Sequence, residues 1–175
     1  YLVANVCLNK KIAAEFYDAY LLKDGNVKPE DPSASSKSHQ STDMVLATFA
    51  HPSNEKTVLT LYRPLPWRAA RSEIYSKESY EKIRSQFNAE IQEEILPMLG
   101  ASSNEIAELR ITRWGHPLPI GAPGLIAKGT AEAAHAPHKD RVFFVEQDNW
   151  MLAAIETCAS EALRWAPKAQ RAILS

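Results

Sequence analysis

An α+β fold, a mainly antiparallel sheet under covering helices, is predicted by three stretches of this chain. Residues 44–50 and 57–62 are β-rich runs separated by the turn formers of residues 51–56, which reads as a hairpin. From Ser76 onward Tyr80, Ile83, Phe87, Ile91 and Ile95 recur every three or four residues, the pattern of a helix laid on a sheet. In the last third, Val142, Phe143, Phe144 and Val145 form an apolar run that reads as a short strand buried on both faces.

Taken in order, residues 1–8 are apolar and rich in strand formers, interrupted only by Asn5, and read as a buried strand. Residues 12–22 hold Phe16, Tyr17, Tyr20 and Leu21 among small and charged side chains, and fit a short helix or a second strand equally. Residues 24–42 turn to Lys, Pro, Asp, Ser and Gly, too polar to bury and too rich in proline for a helix, so a long surface loop is expected. After the hairpin, Pro64 and Pro66 stop the second strand, since neither can donate to a ladder.

The helix spans residues 76–99, with Glu81, Lys82, Arg84, Glu90, Glu93 and Glu94 on a face expected to be solvated and Gly100 as its stop. Residues 107–114 alternate Leu109 and Ile111 with Arg110 and Thr112, which predicts another strand. Residues 113–124 carry three prolines and three glycines among apolar residues, and should form an irregular excursion that still buries side chains. Residues 127–139 are rich in alanine and suit a short helix. His135 and His138 near its end are expected at the surface, because no third metal ligand lies close in sequence.

At the final strand's end, Asp148 and Asn149 are good N-cap types, and Leu152, Ile155, Ala159, Ala162 and Leu163 follow at helical spacing. A helix starting where the strand stops would point free N–H groups and the positive end of its dipole at an anion or cofactor. Small residues at 153, 154, 158 and 159 would let that helix approach a sheet or a flat ring. An ordinary core strand and helix remains the plainer reading.

At 175 residues and 45% hydrophobic, the chain can bury a core. A net charge of −1 without a basic block argues against nucleic acid as a partner, and no apolar run approaches the ~20 residues of a membrane span. Cys7 and Cys158 lie far apart, which predicts two small buried thiols and neither a disulfide framework nor a metal site. The chain starts at Tyr1, without methionine and inside a strand-like run, and is read as truncated or processed. The compartment, cytoplasm or bacterial periplasm, is left open.

The order of these segments resembles the C-terminal portion of the flavin-containing amine oxidoreductases, in the bacterial branch of spermidine dehydrogenase-like proteins. The residues that carry the likeness are Leu2-Val-Ala-Asn-Val, the hairpin ending Val58-Leu-Thr-Leu-Tyr, the amphipathic helix, Arg113-Trp-Gly-His, Pro123-Gly-Leu, and Arg141-Val-Phe-Phe-Val-Glu-Gln-Asp leading to Glu156. The resemblance covers nearly the whole chain. It implies a substrate-binding domain portion over residues 1–112 and, over 113–175, a return segment with the strand and C-terminal helix of an FAD-binding domain. It also implies Glu146, Gln147 and Asp148 at the FAD chain, with Ala154, Ile155 and Glu156 near the flavin ring. Trp114 and His116 are implied at the flavin and substrate cavity, Trp114 holding an amine by cation–π contact and His116 a candidate proton acceptor.

Two departures set the terms. The Gly-x-Gly-x-x-Gly fingerprint of the family's first strand is absent, so a missing segment or partner chain carrying the dinucleotide-binding fold is implied for FAD to be held. Glu146 stands where the family has a small residue, and its charge would repel phosphates unless it points away. The implied activity is oxidation of an amine to an imine by hydride transfer to flavin. The alternative is a non-catalytic binding or assembly subunit, with an apolar patch expected around Phe143, Phe144 and Trp165.

Overall fold

The computed structural model describes residues 1–21, 41–65, 70–119 and 121–174, apart from the side chain of Glu73. Most of the surface loop expected at 24–42 lies outside the described residues. The chain divides into two compact units, Tyr1–Gly115 and His116–Ser175.

The first unit is α+β, built on a five-stranded antiparallel sheet. Its strands are β1 (Leu2–Leu8), β2 (Asp18–Tyr20), β3 (Asp43–Leu46), β4 (Thr57–Arg63) and β5 (Ile106–Arg113), in the spatial order β2-β3-β4-β1-β5. Both long neighbours pair with β1 in the centre, Leu2 opposite Arg63 in β4 and Arg113 in β5. Side chains alternate across it: Leu2, Ala4, Val6 and Leu8 are fully buried, while Val3, Asn5 and Cys7 are only half-buried. β1 is thus buried on one face, and within the stretch that fitted a short helix or a second strand, Asp18–Tyr20 form the strand β2. Cys7, like Cys158 in the second unit, is free and partly accessible, not fully buried.

The expected hairpin is present as β3 and β4, but residues 47–50 leave the strand for a helical turn, α1 (Ala47–Ala50). Thr48 and Phe49 favour a strand by propensity. A tertiary contact prevails, since the Thr48 hydroxyl donates to the Ile12 carbonyl at 3.2 Å. After α2 (Ala70–Glu73), the long helix α3 (Lys77–Glu90) starts at Ser76, whose hydroxyl accepts the Ser79 N–H at 3.0 Å. It continues through a π-helical turn, Ile91–Ile95, into α4 (Leu96–Met98). Gly100 ends it at φ +64°, a left-handed geometry that glycine adopts without strain.

Ile83, Phe87, Ile91 and Ile95 close the core over β1 and β4 as the spacing predicts. Glu90 does not belong to the solvated face. At seven residues from Ile83 and three from Phe87 it falls on the core side, where it is 3% exposed. The Arg63 Nη2 donates to its Oε2 at 2.6 Å, and the Ser41 N–H and hydroxyl donate to it at 2.8 and 3.0 Å. The Arg63 guanidinium lies 3.8 Å from the Phe87 ring centroid, and its Nε and Nη1 are buried without a hydrogen-bond partner among the described residues. Burial pulls the guanidinium pKa down from its ordinary value, against the opposing pull of Glu90.

Candidate functional site

The second unit carries a fully buried carboxylate, Glu161. It contains α5 (Thr130–His135), a 3-10 turn at Gln147–Trp150, and α6 (Ile155–Leu174). Residues 142–145 do not form the expected buried strand. Among the described residues their only ladder contact is a bridge between His138 and Val142, and Val142, Phe144 and Val145 are exposed. An apolar, β-prone run becomes a strand only when a neighbouring strand pairs with it.

The helix also begins later than the sequence suggests. Asp148 and Asn149 sit inside the 3-10 turn, Met151 follows in a left-handed conformation at φ +52°, and α6 starts at Ile155. Among the described residues of the second unit no strand runs straight into α6, so the expected anion seat is not built in that form. The buried face is also inverted. Thr157, Glu161 and Trp165, four residues apart, face inward, whereas Ile155 and Leu163 are each 80% exposed.

Glu161 is 0% exposed and accepts four donors. Asn149 Nδ2 and Trp165 Nε1 reach its Oε2 at 2.7 and 2.9 Å. Trp150 Nε1 and His135 Nδ1 stand 3.0 and 3.1 Å from its Oε1. His135, expected at the surface, is therefore buried, with its ring edge-on to Trp150 at 5.0 Å. Donation to Glu161 requires the proton on Nδ1. In the other tautomer the same nitrogen accepts from Arg164 Nη1, 3.0 Å away, and Arg164 also stands 3.7 Å from Oε1, so the tautomer decides which neighbour His135 Nδ1 engages. Among the described residues no group of three His, Cys, Asp or Glu side chains could hold a metal ion.

Burial pushes the Glu161 pKa up, but hydrogen bonds from Asn149, Trp165 and His135 outweigh it and hold the group below its ordinary 4.5. A carboxyl with a depressed folded-state pKa contributes stability above its unfolded value and loses it as pH falls through the folded one. Acidification below 4.5 should therefore free the two indoles. Near-UV circular dichroism of Trp150 and Trp165 checks this: their signal should fade before helical content does, and joint loss of both would contradict it.

Trp165 also packs on Phe143, with ring centroids 5.3 Å apart, and is buried. The patch expected at Phe143, Phe144 and Trp165 is thus closed at Trp165. The large exposed apolar side chains of α6 are instead Ile155, Leu163, Ile173 and Leu174.

Beside the Glu161 cluster lies a cleft of about 440 Å³, lined by residues that include Ala133, Phe144, Glu146, Asp148, Asn149 and Met151. Of the residues assigned to the FAD chain, Glu146 and Asp148 share this lining. Gln147 does not, and its Nε2 instead donates to the Pro117 carbonyl at 2.7 Å, tying the segment after His116 to the turn. Ala154, Ile155 and Glu156 lie at the start of α6 and outside the described lining. His116 is exposed. Trp114, in the first unit, follows β5 and is 52% exposed, so it is not a core residue. Its neighbour Arg113 donates to the Ile74 carbonyl at 2.5 Å and lies over Tyr80, fixing the strand end to the start of α3.

Sequence reasoning missed Glu161, His135 and Asn149. The signal was the spacing of Thr157, Glu161 and Trp165, together with four donor side chains that need an acceptor once buried. Comparison with protein-family models, curated proteins and solved structures finds no match. No helix among the described residues is long and apolar enough to cross a membrane.

Proposed function

We propose that this chain is the substrate-domain part of an FAD-dependent amine oxidoreductase that oxidises an amine to an imine. The observation that carries the reading is the shared lining of one cleft by Glu146 and Asp148, beside the apolar surface of Phe144, Ala133 and Met151. This lining suits one portion of the cofactor. Phe144 and Met151 offer an apolar wall to a flat ring, and the two carboxylates accept hydrogen bonds from ribityl hydroxyls. No Lys or Arg stands among the described lining residues, so the pyrophosphate belongs to a missing segment or a partner chain with a dinucleotide-binding fold.

When bound, the flavin supplies the hydride acceptor. Asp148 and Glu146 hold and orient its polar chain, and Gln147 keeps the segment after His116 against the turn. In the second unit His116 offers an exposed imidazole to take up the amine's proton, and in the first unit, taken by itself, Trp114 offers an exposed indole face that suits a cation. In the complete assembly, Asp148→Ala should weaken flavin retention about tenfold, the value of one hydrogen bond to a charged acceptor, with stability moved by less than about 0.5 kcal/mol. Unchanged flavin content, measured by absorbance after gel filtration, would remove Asp148 from the site.

The second reading, a non-catalytic assembly subunit, is favoured by the exposed apolar residues of α6, Ile155, Leu163 and Ile173. Flavin content of the assembly separates the two.

A further inference from the structure

We infer that Glu161 is the positioning residue of the turn that carries Gln147 and Asp148, an inference resting on the reading of that turn as part of a cofactor seat. Two of its four donors, Asn149 and Trp150, are the last residues of the 3-10 turn itself. The Asn149 Nδ2 also donates to the Phe144 carbonyl at 2.8 Å, so the same amide fixes the chain entering the turn. The chain leaves it through Met151, a non-glycine residue in the left-handed region whose N–H donates to the Asp148 carbonyl at 2.9 Å. Such a conformation costs free energy and persists where its surroundings hold it; the residues on its N-terminal side, Asn149 and Trp150, are the two that Glu161 anchors.

The chemistry requires a carboxylate. Two oxygens offer about four lone-pair sites: Asn149 and Trp165 donate to one and Trp150 to the other, which also takes His135 when its proton is on Nδ1. Glutamine has nearly the same shape but replaces one oxygen with an NH₂ group, which would face two donors. A residue serving only to bury α6 would tolerate that exchange with an even loss across the unit. A positioning residue loses the turn first and the helix last.

The test is Glu161→Gln in the full chain, followed by amide hydrogen exchange and by the indole N–H resonances of Trp150 and Trp165. Exchange at residues 147–150 should rise about tenfold or more while residues 166–172 of α6 keep their protection, and both indole resonances should move. Glu161→Asp, which keeps both oxygens on a shorter stem, should restore part of the protection. Equal exchange in wild type and Glu161→Gln at residues 147–150, or equal loss along the whole of α6, would overturn the inference. Should Glu161→Gln fail to fold, Trp150→Phe deletes one donor at the half-exposed edge, and the turn should again loosen before the helix; an unchanged turn would overturn the inference. In the flavin-bearing assembly, Glu161→Gln should also weaken flavin retention. An assembly without flavin would end the cofactor reading but leave the exchange comparison to decide on Glu161.

Discussion

Glu90→Ala should destabilise the first unit by about 3–5 kcal/mol, the cost of leaving one member of a buried ion pair without its partner. Arg63 is confined: its side chain is 1% exposed and stacks on Phe87, and its Nε and Nη1 have no hydrogen-bond partner among the described residues. Ser41 would lose the acceptor for both its N–H and its hydroxyl. The pair as a whole is worth much less than this figure, because burying two charges forfeits most of what their attraction returns. Arg63→Met combined with Glu90→Leu should therefore recover most of the loss, and the two single changes should be far from additive. Urea denaturation of Glu90→Ala, of Arg63→Met and Glu90→Leu singly, and of their combination measures it. A Glu90→Ala cost under about 1 kcal/mol would mean that the pair opens to solvent.

Trp165→Ala should cost the second unit about 3–5 kcal/mol, the range for removing a buried large aromatic. The change empties the contact with Phe143 and removes the Nε1 donor from Oε2 of Glu161. Hydrogen exchange should show protection lost along α6, with β1 and β4 of the first unit unaffected. Trp165→Phe keeps much of the volume and drops only the donor, and should fall between. Loss of protection in β1 as well would contradict the reading of Trp165 as local to its own unit.

The first unit was legible because its signals are backbone periods. The alternation of Leu109 and Ile111 with Arg110 and Thr112, the helical spacing of Ile83, Phe87, Ile91 and Ile95, and the glycine at 100 each follow from geometry that a side chain reports directly. The errors share one cause, the use of polarity as a proxy for position. Glu90 and Glu161 are charged yet sit on inward faces, and each is buried because particular donors meet it there: Arg63 and Ser41 for one, Asn149, Trp150, Trp165 and His135 for the other. Trp165 lies one helical turn from Glu161, but the other partners lie from 11 residues away for Trp150 to 49 for Ser41, and no local pattern announces those. Ile155 and Leu163 misled in the opposite sense, being apolar at regular spacing on a face the unit leaves open. At the candidate site, Glu146 and Asp148 were legible as neighbours in a turn. Their cleft was not, since its other wall comes from α5, a dozen or so residues earlier.

The most direct test of the proposed function is an absorbance spectrum of the material purified from its native source, read with an intact mass of every chain present. The account predicts a flavin band, together with a segment or second chain that bears a glycine-rich dinucleotide fingerprint. A single species of 19.5 kDa with no flavin would contradict it, and the roles assigned to Trp114, His116, Glu146 and Asp148 would fall with it.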